Sequence, residues 1–344
     1  MKVGLVHDPV YLEHDTGSHP ENKQRLVAAT TLLETSGLMG RLISLPPRMV
    51  TAEELLTIHA QEHIEQVESY SQRGGGWLDG DTVASPGSYK AALYAAGGLL
   101  RGVDAVLNGE VNSAFALVRP PGHHATHNRA MGFCLFNNIA IAARYAQQQH
   151  GIERILIIDP DVHHGNGTQD AFYDDPTVLY FSTHQYPFYP GTGAVDETGS
   201  GAGLGTTVNV PLPAGCGDSE YRQVYEEILA PVARRFQPQL ILVSAGYDPH
   251  WADQIAMMQV SVSGFADIIT IIKELANELC DGRVLVTLEG GYNLEAVAYG
   301  IKATLDVLMG NSKIEDPLGG PRYSRQAPPV DTVLDRVRKA HQLG

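Results

Sequence analysis

Cysteine is scarce in this chain. Cys134, Cys216 and Cys280 are the only three among 344 residues, and no two of them form a Cys-x-x-Cys pair. Such wide spacing argues against both a disulfide framework and a zinc site built from thiolates. A reducing cytoplasm is the compartment that this composition favours.

Long apolar runs and an excess of positive charge are also missing. No segment approaches the ~18 consecutive apolar residues of a membrane helix, so we expect a soluble protein that is not exported. The 24 Lys and Arg residues are outnumbered by 39 Asp and Glu residues, for a formal charge of −15. A surface of this sign repels the phosphates of nucleic acids and of anionic lipids. We therefore expect no nucleic acid and no membrane as partners, whereas a cationic substrate or partner fits.

Short apolar runs rich in β-branched residues alternate with longer helical patterns. The strand-like runs are 2–6, 113–118, 155–158, 178–181, 240–243 and 284–288. The helical patterns are 88–107, 137–149, 219–236, 262–279 and 294–309. Strands that are apolar throughout and alternate with helices predict an α/β fold with a parallel sheet covered on both faces.

The C-terminal segment has a different composition. Residues 311–329 contain four prolines among glycines and serines, and 330–342 form a charged amphipathic stretch. We expect an extended strap followed by a terminal helix, without catalytic residues. The glycine-rich stretch 191–205 lacks the spacing of a phosphate-binding loop and is predicted to be an ordinary loop beside the pocket.

Reactive side chains lie within ten residues after the ends of four apolar runs. They are His123 and His124 after 113–118, Asp159, Asp161 and His163 after 155–158, Asp248 and Asp253 after 240–243, and Tyr292 after 284–288. Ligands of open α/β sheets bind beyond the carboxyl ends of the strands. The sequence therefore predicts that these groups share one rim of the sheet.

A metal site is predicted from two of these segments. Asp161 and His163 are two residues apart in an extended segment, so their side chains share a face. A third carboxylate from Asp248 or Asp253 would complete a set that leaves one position open for water, as in catalytic zinc sites. Because two carboxylates cancel the charge of a divalent ion, that water needs a separate base.

The base is predicted to come from the tandem histidines. His123 and His124 follow Pro-Pro-Gly at a strand end, and Asp159 is the candidate that orients one of them. Tyr292 follows two glycines that permit a tight turn. Its neutral hydroxyl suits an oxyanion opposite the metal.

Four motifs carry a resemblance to a known family. They are Arg-Pro-Pro-Gly-His-His-Ala at 119–125, Gly-Phe-Cys-Leu-Phe-Asn at 132–137, Asp-Pro-Asp-Val-His-His-Gly-Asn-Gly-Thr at 159–168 and Glu-Gly-Gly-Tyr-Asn at 289–293. In this order the chain resembles class II-type histone deacetylases, whose superfamily includes acetylpolyamine amidohydrolases and acetoin-utilisation proteins. The resemblance implies the arginase-deacetylase fold, with a central parallel sheet of about eight strands. The deacetylase domain then spans 1–310, and 311–344 are a strap and helix packed on it.

The resemblance also assigns the catalytic centre. One Zn²⁺ would be held by Asp161, His163 and Asp253, the last chosen by alignment of spacing. His124 would act as general base and acid, with His123 as its electrostatic partner, and Tyr292 would polarise the scissile carbonyl. The side chains implied as hydrogen-bond partners of the two histidines are Asp159 and Asn166.

A substrate pocket and a second ion complete what the resemblance implies. The pocket residues are Gly132, Phe133, Cys134, Tyr189, Ile255 and Gly290. Phe133 and Tyr189 correspond to the aromatic walls of an acyl-lysine tunnel. Ile255 falls near the position where polyamine-selective relatives carry an acidic gatekeeper, which removes the reason to expect a polyamine ammonium there. A structural K⁺ or Na⁺ would lie beside Asp159, Asp161, His163 and Ser182.

The implied function is hydrolysis of an N-acyl amide, with N6-acetyl-lysine in a protein or peptide as the favoured substrate. An acetylpolyamine or another small acylamine is the alternative, and a non-catalytic acyl-lysine binding protein would need neither tandem histidine nor Tyr292. A ureohydrolase would need Asp-x-His-x-Asp, but position 165 is Gly. Pro160 stands where a Trp is usual in the family. A homo-oligomer remains compatible with this sequence.

Overall fold

The computed structural model of the protein describes residues 1–321 and 328–343. Its strands are Val3–Val6 (β1), Ile43–Ser44 (β2), Gly76–Trp77 (β3), Val83–Ala84 (β4), Ser113–Ala116 (β5), Ile155–Asp159 (β6), Val178–Gln185 (β7), Thr207–Leu212 (β8), Leu240–Ala245 (β9) and Val284–Leu288 (β10). Within the described residues, eight of them form one parallel sheet in the order β2-β1-β5-β10-β9-β6-β7-β8. The strands β3 and β4 form a separate antiparallel hairpin.

Helices surround this sheet. They are Gln24–Thr35 (α1), Ala52–Leu55 (α2), Gln61–Gln72 (α3), Ser88–Leu107 (α4), Asn138–His150 (α5), Asn166–Phe172 (α6), Asp218–Val224 (α7), Ala230–Phe236 (α8), Val262–Leu279 (α9), Leu294–Met309 (α10) and Asp331–His341 (α11). The helix α4 lies on β1, β5 and β10 and packs against α5, while α10 packs between α1 and α9. Every residue of the sheet strands other than β2 is buried. The expected parallel sheet with two covered faces is therefore confirmed.

Helix caps hold the loops that reach the rim of the sheet. Asn137 accepts a hydrogen bond at Oδ1 from the amide of Ala140 at the start of α5, at 3.1 Å. Asn293 does the same for the amide of Ala296 at the start of α10, at 3.0 Å. An Asn side chain at this position satisfies an amide that has no partner within the helix. The segments before both helices, which carry His123, His124 and Tyr292, therefore end at well-defined points.

The sequence patterns missed some elements. The strands β2 and β8 and the helices α1 and α3 were not predicted, and the predicted helix 219–236 contains a π-helical segment at Tyr225–Leu229 between α7 and α8. The terminal helix is present as α11, which packs against β8. Part of the predicted strap, 322–327, lies outside the described residues. The division into 1–310 and 311–344 stays a prediction.

Across the described parts of the chain, no helix combines the length and the apolar character needed to span a bilayer.

Candidate active site

The four predicted loops meet at one edge of the sheet. The strands that precede them, β5, β10, β9 and β6, are consecutive neighbours in the sheet. Since these strands are parallel, their carboxyl ends lie side by side, and so do the residues that follow them. The expected convergence of His, Asp and Tyr side chains is what the structure contains.

A buried group of three ligand atoms lies at the base of this rim. His163 Nδ1 is 3.1 Å from Asp161 Oδ1 and 3.1 Å from Asp248 Oδ2. Apart from the contact with His163, Asp248 Oδ2 has no hydrogen-bond partner among the described residues. Ligand atoms bound to one tetrahedral zinc at ordinary bond lengths would be roughly 3.3 Å apart. The donor set and its spacing therefore fit a divalent ion with an open fourth position.

The charges in this group also fit a cation. Burial raises the pKa of Asp248 to about 7, and the nearby Asp161 carboxylate adds to the shift. Although burial lowers it, the pKa of His163 rises to about 9 because Asp161 and Asp248 favour its protonated form. A bound cation would replace that proton and relieve the repulsion between the two carboxylates.

The expected third ligand, Asp253, does not belong to the group of Asp161, His163 and Asp248. Its Oδ2 accepts hydrogen bonds from the amides of Tyr292 and Asn293 at 2.6 and 3.0 Å, and its Oδ1 accepts one from Ile255 at 3.0 Å. Asp248 is the third residue after the end of β9, and Asp253 lies five positions further along the chain. Of the two acids left open by strand-end reasoning, Asp248 is the one that fits, and Asp253 holds the Tyr292 loop.

The tandem histidines have different partners. His123 Nδ1 lies 3.0 Å from Asp159 Oδ2, and His124 Nδ1 lies 2.8 Å from Asn166 Oδ1, which are the pairings expected from the sequence. The centroids of the two imidazole rings are 4.0 Å apart. Two adjacent histidines, with their rings tilted by 45°, therefore have an acidic partner and an amide partner respectively.

Their pKa values move in opposite directions. Burial lowers the pKa of His123, but the carboxylates of Asp159 and Asp161 outweigh it and raise the value to about 10. Burial and the adjacent cationic His123 lower the pKa of His124 well below its usual value. His123 is thus held protonated, and His124 is held neutral with one nitrogen able to accept a proton.

Glu289 supports the histidine loop and was missed as a functional residue. Its Oε2 accepts hydrogen bonds from the amides of Gly122 and His123 at 2.7 and 3.2 Å. Its Oε1 accepts one from Ser244 Oγ at 3.2 Å. The position of Glu289 directly after β10 was a usable signal, since Asp161 and Asp248 also lie within three residues of a strand end.

Arg25 contacts both the ring of Tyr292 and the backbone just before it. The guanidinium of Arg25 lies 5.2 Å from the centroid of the Tyr292 ring. Arg25 donates from Nε to the carbonyl of Gly291 and from Nη2 to the carbonyl of Glu289, at 2.6 and 2.5 Å. Burial and the carboxylates of Asp248 and Asp161 raise the pKa of Tyr292 well above its usual value. The phenol therefore stays a neutral hydrogen-bond donor.

A buried ion-pair network extends from Arg25. Glu21 accepts hydrogen bonds from Arg119 Nε at 2.5 Å and Nη2 at 2.7 Å, and from Arg25 Nη1 at 3.0 Å. All three side chains are fully buried. Sequence reasoning did not identify Glu21 or Arg25, because neither lies at a strand end.

A narrow cavity of about 180 Å³ leads to these groups. Its lining residues are Asp81, His124, Gly132, Phe133, His163, Phe188, Tyr189, Ile255 and Tyr292. Gly132, Phe133, Tyr189 and Ile255 were expected to line a pocket and do so. Phe188, which stacks on the His163 ring at 5.3 Å, and Asp81 were not foreseen. Aromatic side chains thus make up most of the lining, which includes His124, His163 and Tyr292.

Two expected pocket residues do not line this cavity. Cys134 is fully buried, and burial raises the pKa of its thiol well above the usual value. Its Sγ lies 3.3 Å from the carbonyl of Gly132, so it packs behind the wall. The amide of Gly290 donates to Asp161 Oδ2 at 2.8 Å, and a side chain at this position would collide with Asp161 and Asp248. Gly290 therefore permits the close approach of the backbone to the ligand group.

The expected monovalent-cation residues lie beside the same strands. Asp159 and Ser182 are paired in register across β6 and β7. Both are fully buried, and Asp159 Oδ1 accepts a hydrogen bond from the amide of Asp161 at 3.2 Å. The structure thus places these residues next to the base of the ligand group.

Comparison with known proteins agrees with this geometry. The family model described as histone deacetylase domain matches residues 19–308. The chain belongs to the histone deacetylase family. That membership confirms the family resemblance found in the sequence and makes the protein a member of a group of deacetylases and amidohydrolases. It also favours this chemistry over the ureohydrolase alternative.

Several histone deacetylase relatives cover most of the chain. A probable deacetylase of Archaeoglobus fulgidus is 44% identical over 298 residues, which are 86% of this chain and 82% of that protein. The histone deacetylase-like amidohydrolase of Pseudomonas aeruginosa is 40% identical, covering 92% of this chain and 82% of that protein. The polyamine deacetylase HDAC10 of Homo sapiens is 40% identical, covering 93% of this chain and 48% of that protein.

A solved histone deacetylase structure has the same fold. The crystal structure of the HDA15 HD domain superposes with a TM-score of 0.89 at 37% sequence identity, covering 98% of this chain and 95% of that chain. The expected single α/β domain with an eight-stranded parallel sheet is therefore confirmed.

Proposed function

We propose that the protein is a zinc-dependent deacylase that hydrolyses N6-acetyl-lysine in a protein or peptide. One observation carries the proposal. A protonated His123 and a neutral His124 stand side by side, next to the open ligand group of Asp161, His163 and Asp248, at the end of a narrow aromatic cavity. A protein that only binds acyl-lysine would have no need for two buried histidines with opposed pKa shifts.

The ligand group is suited to bind a zinc ion, which would act as the Lewis acid of the reaction. Asp161, His163 and Asp248 would hold Zn²⁺, with Asp248 in place of the Asp253 that spacing suggested. When bound, the ion would polarise the acyl carbonyl and acidify a water molecule. The donor set of one imidazole and two carboxylates also suits other divalent ions, so the metal is part of the proposal.

The side chains supply the remaining steps. Neutral His124, oriented by Asn166, accepts a proton as water attacks the acyl carbon, and later returns a proton to the leaving amine. Protonated His123, paired with Asp159, stabilises the negative charge that develops nearby. The hydroxyl of Tyr292 donates a hydrogen bond to the carbonyl oxygen as that oxygen becomes an anion.

The cavity suits an acylated lysine. Aromatic side chains of Phe133, Phe188 and Tyr189 would pack against the methylene chain, while the acyl amide reaches the histidines. Polar and charged groups of a shorter ligand would find few partners between these rings. The aromatic lining therefore favours a substrate whose amide is carried on a long apolar stem.

A small acylamine is the second candidate. Asp81 borders the cavity, and a carboxylate there would attract the distal ammonium of an acylated diamine or polyamine. Ile255 also lines the cavity and offers no charge near the position where polyamine-selective relatives carry an acidic gatekeeper. We therefore rank the acyl-lysine peptide first.

A monovalent cation beside Asp159 and Ser182 is a further part of the proposal. The buried carboxylate of Asp159 is shared among His123 Nδ1, the hydroxyl of Tyr180 and the amide of Asp161. A K⁺ or Na⁺ ion near its backbone would support this arrangement without taking part in proton transfer.

Metal exchange combined with a substrate panel tests the function. Purified protein is stripped with a chelator, reloaded with one equivalent of Zn²⁺, and assayed with an acetyl-lysine peptide, N-acetylputrescine and N1-acetylspermidine. We expect activity to disappear in the stripped protein and to return with zinc, with the highest kcat/KM for the peptide. Preference for either polyamine would replace acyl-lysine by the second candidate. Tight binding of the peptide by zinc-loaded protein without any turnover would favour the binding-protein alternative.

A further inference from the structure

Trp77 is an unusually exposed aromatic residue. It lies on the β3–β4 hairpin, and 61% of its surface is accessible to solvent. Aromatic side chains of this size lose favourable burial when they stay in water. An indole held in solvent by an ordered hairpin therefore indicates a contact surface.

Direct contacts join this hairpin to the wall of the cavity. The amide of Gly132 donates to Asp81 Oδ1 at 3.2 Å, and the amide of Phe133 donates to Thr82 Oγ1 at 3.0 Å. The ring of His19 lies between the two aromatic groups, with its centroid 4.5 Å from that of Phe133 and 6.5 Å from that of Trp77. Trp77 is thus placed on the rim beside the mouth of the cavity.

Other exposed apolar residues lie on segments that line the cavity. Tyr186 and Tyr189 are 36% and 37% exposed on the loop after β7, and Met257 is 48% exposed two residues after the cavity-lining Ile255. Exposed apolar groups on three segments that contribute to the cavity wall fit contact with neighbouring residues of a polypeptide.

The charges on the hairpin indicate which type of substrate residue is preferred next to the acylated lysine. Asp79 and Asp81 lie in its turn, close in sequence to the exposed indole. Asp79 already holds one guanidinium, that of Arg129, at 2.9 Å. An indole face beside carboxylates is a common recognition surface for an ammonium or guanidinium group. The formal charge of −15 on the chain acts in the same direction at longer range.

We propose that Trp77 contacts the residue next to the acylated lysine and selects a Lys or Arg at that position. The inference rests on the proposed function, because it assigns the surface that reads the polypeptide outside the cavity. It makes Trp77 a specificity-determining residue with no part in the chemical step.

Matched substrates separate this role from catalysis. The zinc-loaded wild type, Trp77→Ala and Trp77→Phe are assayed with acetyl-lysine peptides that carry either Arg or Gln beside the acetyl-lysine, and with a blocked single acetyl-lysine. Leu204→Ala is the control, since Leu204 is 69% exposed and borders a different cavity formed with Phe236 and His341. An exposed cation–π contact of ordinary strength corresponds to about two- to fivefold in kcat/KM.

The outcomes are distinct. We expect the wild type to prefer the Arg peptide, Trp77→Ala to lose that preference, Trp77→Phe to retain part of it, and all variants to hydrolyse the single residue equally. An equal loss on every substrate would overturn the inference, since it would mean that Trp77 only supports Phe133 through His19. Equal kcat/KM for the Arg and Gln peptides in the wild type would overturn the cationic preference. Failure to hydrolyse even the single acetyl-lysine would instead refute the proposed function.

Discussion

At the scale of single residues, two acids after β9 have separate roles. Asp248 belongs to the ligand group with Asp161 and His163, whereas Asp253 accepts hydrogen bonds from the amides of Tyr292 and Asn293. Spacing alone could not separate them, because both follow the same strand and either could reach the rim in an extended chain. The distinction depends on the turn between them, which is a property of the folded loop.

Substitution of each acid should give a different defect. We expect Asp248→Asn to lose bound zinc and activity together, because it removes a ligand carboxylate. We expect Asp253→Asn to keep stoichiometric zinc and to lower kcat, because it weakens the support of the Tyr292 loop. Metal analysis after gel filtration, together with kcat, distinguishes the two. Loss of zinc from Asp253→Asn with retention in Asp248→Asn would restore the assignment based on spacing.

The site residues at strand ends could be predicted from the sequence. The residues that hold them in place from distant parts of the chain could not. His123, His124, Asp161, His163 and Tyr292 stand in motifs whose chemistry is visible in the sequence. Arg25 contacts the carbonyl of Gly291 from 266 positions away, and its role depends on the packing of α1 against α10. A contact of that kind leaves no local pattern.

At the scale of elements, buried ion pairs fix the loops around the site. Glu21 precedes α1 and accepts hydrogen bonds from Arg25 in α1 and from Arg119 after β5. Two guanidinium groups thus share one carboxylate in the interior. Such a cluster remains stable only while the charges are balanced and hydrogen-bonded.

Removal of the shared carboxylate should be costly. We expect Glu21→Gln to lower the free energy of unfolding by about 3–5 kcal/mol, because Arg25 and Arg119 would be left buried without a counter-charge. Urea denaturation of the zinc-free protein measures the change. Asp15→Asn is a suitable control, since the Asp15–Lys23 pair is exposed and should contribute less than about 1 kcal/mol. A similar small change in both variants would contradict the structural role of the cluster.

The sequence patterns predicted the central elements well and the edge elements poorly. The bounds of β10, α4, α9 and α10 agree with the patterns, because buried strands are apolar throughout and long helices have a clear period. The edge strand β2 consists of only Ile43 and Ser44, both exposed, and is too short to give a strand pattern. The other edge strand, β8, contains Asn209 and Pro211, which weaken a strand pattern.

At the scale of the whole molecule, buried histidines couple stability to pH. Burial lowers the pKa of His59 to about 3, with the neighbouring His63 adding to the shift, and burial lowers the pKa of His184 to about 4. The pKa of His341 falls to about 4 because of burial and the nearby Arg235. These side chains stay neutral in the folded protein at pH values where the unfolded chain protonates them.

Stability should therefore decrease on mild acidification. The contribution of these histidines is fully present above pH 6.5 and is lost as the pH falls from 6.5 towards 4, by up to about 1.4 kcal/mol per pH unit for each. Urea unfolding of the chelated protein at pH 7.5, 6.0 and 5.0 measures the slope. His184→Asn should flatten it, whatever the absolute stability of that variant. A slope that His184→Asn leaves unchanged would show that this imidazole is not held neutral.

The measurement that tests the central claim most directly is zinc content together with turnover of an acetyl-lysine peptide, for the wild type and Tyr292→Phe. Tyr299→Phe, at a surface groove between α1 and α10, is the matched control. We expect one zinc per chain in all three proteins and a loss of about 100-fold or more in kcat for Tyr292→Phe alone, because one oxyanion donor is removed. Full activity of Tyr292→Phe, or turnover by zinc-free protein, would contradict the proposed mechanism.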